Sequence, residues 1–438
     1  MANPIPNLFR IPELKQKILF TLLALLVYRI GAHITAPGVD VQALKAMVGN
    51  LQGTLFGVYD MFVGGALSRA TVMSLGIMPY ISASIVFQLL AAVVPSLEKM
   101  QKEGEDGRKK LTQWTRYATV VLALLQASGY AVWLNSTPGV VQMSSFAFLV
   151  STGLVMTTGA IFAMWLGEQI TERGLGNGAS LLIFFSIIEG FPGAIARTLE
   201  ALTTGVINIF QLVGLLLAMV VIVGGVVAMT MAVRKIPVQI PRKVIGRGRV
   251  REGQKSFIPL RINSAGVMPI IFAQSFIIIP GTIAQFSSSE TLRRVAEWLQ
   301  PGTWLYALLY GILILFFTYF YTAIIFNPVD IAENLKKQGG FVPGVKPGAR
   351  TAEYIDHVLS RITIPGAIYL TIVALLPFMI FSLFNVGSLF FFGGTSLLIV
   401  VGVALDTVQQ VQQHMMLRHY EGFMKKGRVR FRGRQRYM

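Results

Sequence analysis

The sequence predicts an all-α integral membrane protein, and three observations predict it. Hydrophobic residues fill 54% of the 438 positions, charged residues 13%, and mean hydropathy is +0.63. Ten apolar stretches approach the roughly 20 residues that a helix needs to cross the hydrocarbon layer. Lysine and arginine collect in alternate connections between them. Of 38 such residues, 32 lie in the N-terminus, in the loops 95–116, 167–177, 234–262 and 327–363, and in the tail 407–438. The positive-inside rule then places those segments, both termini included, in the cytoplasm.

The expected spans are 16–34, 71–94, 115–134, 146–166, 178–197, 208–233, 264–286, 303–326, 364–385 and 388–406. No early apolar run leads to a small-residue cleavage site, so the N-terminus is expected to stay uncleaved. The stretch from Leu55 to Val94 is about twice the length of a simple span. Its first half carries Asp60, Arg69 and Gly64-Gly65, so it reads as a glycine-broken half-helix ahead of a full span. Charged, interrupted backbone is tolerated at membrane depth only inside protein or in a water-filled cavity. The chain is therefore expected to build an aqueous path and to hold a short segment within it.

The five tryptophans, Trp114, Trp133, Trp165, Trp298 and Trp304, fall near expected span ends and read as interfacial anchors. Gly174, Gly176 and Gly178 follow no strand, so they read as a tight turn into the fifth span. Five spans precede the region 198–207 and five follow. Duplicating an odd-numbered half would give inverted repeats, although the halves share no evident residue pattern.

Two basic loops are too long to be plain turns. Residues 234–263 alternate apolar residues with turn formers, as a hairpin does, with Arg242, Lys243, Arg247, Arg249 and Arg251 at its tip. Residues 327–363 read as a short amphipathic helix, a Pro/Gly-fixed turn in FVPGVKPG, and a second helix, AEYIDHVLSRI. Such charge suits anionic lipid, and a projecting cationic tip suits an acidic or phosphate-bearing partner equally well.

Several chemistries are excluded or weakened. No cysteine is present, which removes disulfides, thiolate metal sites and thiol nucleophiles. No P-loop or HExxH motif occurs, and the four histidines, His33, His357, His414 and His419, are scattered and expected to pair with nothing. Arg29, Glu168, Glu189 and Asp406 are all expected near span ends. An ion-coupled transporter of a small solute, the alternative function, would want a carboxylate near the midplane. An intramembrane enzyme would want a nucleophile with its base, or metal ligands. No cofactor is implied, and any driving energy is expected from a bound partner.

MFVGGALSRATVMSLGIMPYISASIVFQLL, GEQITERGLGNGASLLIF, FVPGVKPG and FFGGTSLLIVVGVALD closely resemble the SecY family, the central subunit of the bacterial Sec protein-conducting channel. The likeness runs along essentially the whole chain. It implies two five-helix halves, 1–200 and 201–438, with inverted pseudo-symmetry around an hourglass pore in the bacterial plasma membrane. Residues 55–69 would be the plug that closes the resting channel, with Tyr59, Asp60, Met61, Phe62, Gly64, Gly65, Leu67 and Arg69 in it. The pore ring would be Ile77, Ile81, Ile183, Ile187, Ile271 and Ile399, an apolar collar that resists leakage by dewetting. A lateral gate for signal sequences would be lined by Ser82, Ile85, Gln274, Ser275 and Ile279, although Ser82, Ser84, Gln274 and Ser275 would equally serve ordinary interhelical hydrogen bonds. Nascent polypeptides would be the cargo and no catalysis is implied. The implied partners are SecE and SecG, the SecA motor ATPase, the ribosome and membrane lipids. The two loops would be the docking surface. Lys346 stands where the family usually has arginine; it keeps the charge and loses the bidentate fork, with Arg350 nearby as a possible compensating cation.

Overall fold

The computed structural model describes residues 12–51, 54–239, 243–245, 249–251, 255–286, 290–384 and 394–426. Helix α1 (Pro12–Gly31) is followed by α2 (Val41–Val48). Asp40 caps α2, its carboxylate accepting from the N–H groups of Gln42 (2.9 Å) and Ala43 (3.2 Å). Helix α3 (Leu55–Phe62) stops where Gly64 and Gly65 take φ of +68° and +72°, conformations that glycine adopts at little cost. Residues 63–77 continue as turns. The expected half-helix to Arg69 is thus two turns of helix plus a coiled segment, and the second span begins later than expected, at α4 (Met78–Val93). That helix has 16 residues, about 24 Å of rise. At Pro95, where no backbone donor is available, the chain bends by 101° into α5 (Pro95–Lys102).

The remaining helices are α6 (Glu105–Asn135), α7 (Ser145–Arg173), α8 (Gly178–Thr203), α9 (Ile209–Met231), α10 (Met268–Phe286), α11 (Glu290–Trp298), α12 (Trp304–Ile325), α13 (Pro328–Lys337), α14 (Ala349–Phe384) and α15 (Gly394–Lys426). Each of the ten expected spans overlaps one helix: α1, α4, α6 to α10, α12, α14 or α15. Among the described residues, seven helices are individually long and apolar enough to cross a bilayer, and the bent pair α4–α5 makes an eighth. Helix α1 falls short because Glu13, Lys15, Lys17 and Arg29 leave it no long uncharged stretch, and α10 because its described apolar part, Met268–Thr282, is too short.

Sequential helices pack in the same order in both parts of the chain: α4 on α6, α6 on α7 and α7 on α8, then α10 on α12, α12 on α14 and α14 on α15. The two groups meet where α10 lies against α4 and α6, and again where α8 lies against α15. Glycines permit the closest approaches: a Cβ on Gly178 would stand 1.9 Å from the Gly167 carbonyl oxygen, and one on Gly159 would stand 1.8 Å from that of Val72.

On the basic face, β1 (Val233–Gln239) pairs with β4 (Lys255–Arg261), and β2 (Lys243–Ile245) with β3 (Arg249–Arg251), giving the expected hairpin. The two loops are not separate. Ile236, Val238 and Leu260 of the hairpin bury against Val342, Ile355 and Leu359 of the second loop and α14. Gln239 and Phe341 exchange both backbone hydrogen bonds, at 2.9 and 3.0 Å. The expected second amphipathic helix is no independent element either. It is the first part of α14, which runs unbroken through Pro365-Gly366, where Gly366 lies against the backbone of Ile262.

Candidate functional site: the closure between two cavities

Two cavities enter the helical bundle from opposite faces. The one on the basic side, about 250 Å³, is walled by Tyr80, Ile81 and Ser84 of α4, Arg116 of α6, Glu168 of α7, Ile183 of α8, Ile271 and Phe272 of α10, and Tyr321 of α12. The opposite one, about 460 Å³, is walled by Lys45, Asp60, Gly64, Gly65, Arg69, Glu189 and Arg197. Along α8 the first cavity ends at Ile183 and the second begins at Glu189. Six residues of helix, about 9 Å, separate them.

The six isoleucines singled out above are all buried. Their exposures are 3% for Ile77, 4% for Ile81, 1% for Ile183 and Ile271, and 0% for Ile187 and Ile399, and all belong to one apolar cluster. On the same helices Ile188 is 36% exposed, Ile195 50% and Phe276 47%. Interior-facing and outward-facing positions are therefore clearly distinct, and these six are interior. Ile81, Ile183 and Ile271 share the first cavity. Ile77 is the N-cap residue of α4, ahead of its first turn, and its carbonyl accepts from the Ile81 N–H at 3.1 Å.

Helix α3 and the turns after it fill the space next to this layer. Met61, Phe62, Tyr59 and Leu67 are buried. Tyr59 donates to the Leu75 carbonyl (3.0 Å), and Tyr130 of α6 donates to that of Leu67 (2.6 Å). Asp60 accepts from the Ser68 N–H at 2.9 Å. Toward α10 and α15 the contacts are apolar or to sulfur. A Cβ on Gly281 would stand 2.3 Å from Leu55 Cδ1, and the Ser396 hydroxyl meets Met61 Sδ at 3.0 Å.

At the meeting of α4 with α10, Ser82 donates to the Met78 carbonyl (2.9 Å) and Ser275 to that of Ile271 (2.7 Å), each within its own helix. Ser84 likewise accepts from Gln88 of its own helix. Gln274 alone of the expected gate set makes an interhelical contact, with Tyr306 of α12 at 3.3 Å. Ile85 is buried and Ile279 half-buried. The serines thus satisfy themselves internally instead of linking helices, which corrects the expectation of ordinary interhelical bonds for them.

Trp133, two residues before the end of α6, is half-buried and packs on Phe56 of α3, with ring centroids 5.5 Å apart. Other expectations are corrected as well. Glu189 falls in the middle of α8, since that helix continues to Thr203, and it pairs with both Arg29 and Arg69. His33 accepts from Arg69 at 2.9 Å, and His414 lies 3.2 Å from Lys17, so two of the histidines do have partners. The signal for Glu189 was present in the sequence as an acid in the apolar run SIIEGF, but its partners lie more than a hundred residues away. Arg116 binds Glu168 with both forks, at 3.0 and 2.8 Å, a pairing not legible in residue order.

Lys346 and Arg350 are exposed on the basic face, and Arg350 pairs with Glu353 at 3.6 Å. Arg242 and Arg247 lie outside the described residues; Lys243 belongs to β2, and Arg249 and Arg251 to β3. Among the described residues no cluster of His, Asp or Glu could hold a metal ion.

Comparison with known proteins adds to this geometry. The SecY family model matches residues 71–408. The chain is 48% identical over 422 residues to the protein translocase subunit SecY of Pseudomonas aeruginosa, covering 95% of each chain. It is 42% identical over 432 residues to that of Aquifex aeolicus, covering 97% of this chain and all of the relative. A solved protein-conducting channel superposes with a TM-score of 0.65 at 16% identity, covering 98% of this chain and all of the other.

Proposed function

The chain belongs to the SecY family, and from that membership we propose how it conducts protein across a membrane. It is a subunit of the translocase channel, and it acts as a passive conduit whose resistance to ions lies in the isoleucine layer. Ile77, Ile81, Ile183, Ile187, Ile271 and Ile399 offer no donors or acceptors, so a narrow collar of them does not hold water or ions. Their branched side chains can part around a polypeptide of any sequence without selecting it. Residues 55–69 act as the plug that backs the collar at rest. The observation that supports this reading is the stretch of about 9 Å along α8 between two cavities, in which Ile187 is wholly buried and the one hydroxyl, Ser186, donates back to the Leu182 carbonyl at 2.9 Å.

The meeting of α4 and α6 with α10 serves as the lateral gate, lined by Ser82, Ile85, Gln274, Ser275 and Ile279. Because Ser82 and Ser275 bond within their own helices, parting these helices exposes little unsatisfied polar surface. A greasy signal segment would replace one apolar contact by another. The halves 1–200 and 201–438 move as the two sides of this gate. The chain itself performs no catalysis. A motor ATPase of the SecA type or a ribosome docks on the joined basic loops and supplies the energy, SecE and SecG complete the complex, and anionic lipid meets the basic loops. The location is the bacterial plasma membrane with both termini in the cytoplasm.

Vesicles holding the full complex test the reading. A secretory precursor should become protease-protected only with the motor and ATP, and ion flux should stay low without precursor. Replacing Ile187 by Ser should raise resting ion flux several-fold. Uptake of precursor without motor, or a variant as tight as the parent, would sink the proposal.

A further inference from the structure

Four side chains on three separate elements converge on the coiled segment that follows α3. Glu189, in the middle of α8, is bound by Arg29 from the last turn of α1 and, at 3.2 Å, by Arg69 Nη2. Arg69 also donates from Nε to the Gly65 carbonyl and from Nη2 to the Gly64 carbonyl, both at 2.8 Å. Its Nη1 donates to His33 Nε2 at 2.9 Å. Guanidinium has no acceptor, so His33 accepts there through Nε2, leaving Nδ1 to donate to the Arg29 carbonyl at 3.0 Å. The side chains of Arg69 and Glu189 are only 20% and 18% exposed. Partly buried charge pairs of this kind lose stability when one partner is neutralised, because the other charge remains behind.

The backbone is shaped to admit this contact. Gly64, at φ +68°, lies so near α8 that an added Cβ would stand 3.0 Å from Glu189 Oε2 and 3.3 Å from the Ser186 backbone. The turn is wrapped around the Arg69 guanidinium, which is anchored on α8 through Glu189. On the side facing α10 and α15 the same segment has the packing of Leu55 on Gly281 and the weak Ser396–Met61 contact. Among the described residues its ionic anchorage is therefore one-sided.

We infer that Glu189 is the positioning residue that holds the plug shut: it latches Arg69, and through it the carbonyls of Gly64 and Gly65, onto α8. This rests on reading residues 55–69 as the plug. Removing the carboxylate charge frees Arg69 and loosens the segment without touching the isoleucine layer.

The chain has no cysteine, so a single Val58→Cys on the buried face of α3 reports plug position by its labelling with a membrane-impermeant maleimide in vesicles of the full complex. On that background Glu189→Gln should raise the labelling rate about tenfold, a change of the size that coupled charge pairs give. Arg69→Gln should do the same, and the double variant should add little to either single one. The thermal midpoint reports separately whether each variant still folds. Labelling at the parental rate in Glu189→Gln, or additive effects in the double variant, overturns the latch. The plug reading is tested independently: in the parent, a translocating precursor should expose Val58→Cys. If it stays protected, the plug reading fails and the latch falls with it. If it is exposed while Glu189→Gln labels like the parent, only the latch fails.

Discussion

At the scale of single residues, backbone proximity decides more than side-chain chemistry. Gly178 starts α8 directly against the Gly167 carbonyl, with 1.9 Å available to a Cβ. Gly178→Ala must therefore push α7 and α8 apart, and an overpacked contact of this kind costs about 1–3 kcal/mol. A lowered thermal midpoint of the purified complex is the expected result, and an unchanged one would contradict the packing described. Tyr130 is a second case. Its hydroxyl is fully buried and reaches 63 residues along the chain to the Leu67 carbonyl at 2.6 Å. Tyr130→Phe removes one of the two donors to that carbonyl, the Ala70 N–H at 3.0 Å remaining, at about 0.5–1.5 kcal/mol, and should raise resting ion flux along with lowering the midpoint. A variant with lower stability and a perfectly tight channel would separate Tyr130 from the closing role of the segment.

At the scale of elements, the two basic loops form one module. Gln239 and Phe341 are an antiparallel pair that exchanges both backbone bonds, which sets their Cα atoms about 5.5 Å apart, inside the range a disulfide spans. In this cysteine-free chain the double variant Gln239→Cys, Phe341→Cys should oxidise readily, seen as a shift on non-reducing electrophoresis, with import unchanged. Import arrested by oxidation and restored by reductant would mean that the loops must part during work. Helix α14 belongs to the same unit, because Ile355 and Leu359 near its start sit in the cluster with Ile236 and Val238. Any load on the hairpin therefore reaches the membrane through a helix of 36 residues with no intervening loop.

At the scale of the whole molecule, the basic hairpin can be lost without loss of the fold. Deleting residues 243–251 leaves the pairing of β1 with β4 and the small apolar cluster in place. Motor-driven import should fall at least about tenfold, while the thermal midpoint shifts by less than about 2 °C. Import at the parental rate would remove the docking role from the hairpin.

Much of the molecule was legible in order of residues. Span positions follow from apolar length, sidedness from lysine and arginine, and the hairpin from alternation. Each is a local or additive property, and each expected span overlaps a helix. The likeness of long motifs then supplied the family. Other features were not legible: that Glu189 lies between Arg29 and Arg69, that Trp133 packs on Phe56, that Arg116 meets Glu168, and that the two loops share a core. By itself the sequence determined which segments enter the membrane and which face carries the positive charge, because transfer free energy is a sum over residues. Only the tertiary structure decided which of many isoleucines are buried and which charges meet, because both depend on contacts between helices distant in the chain.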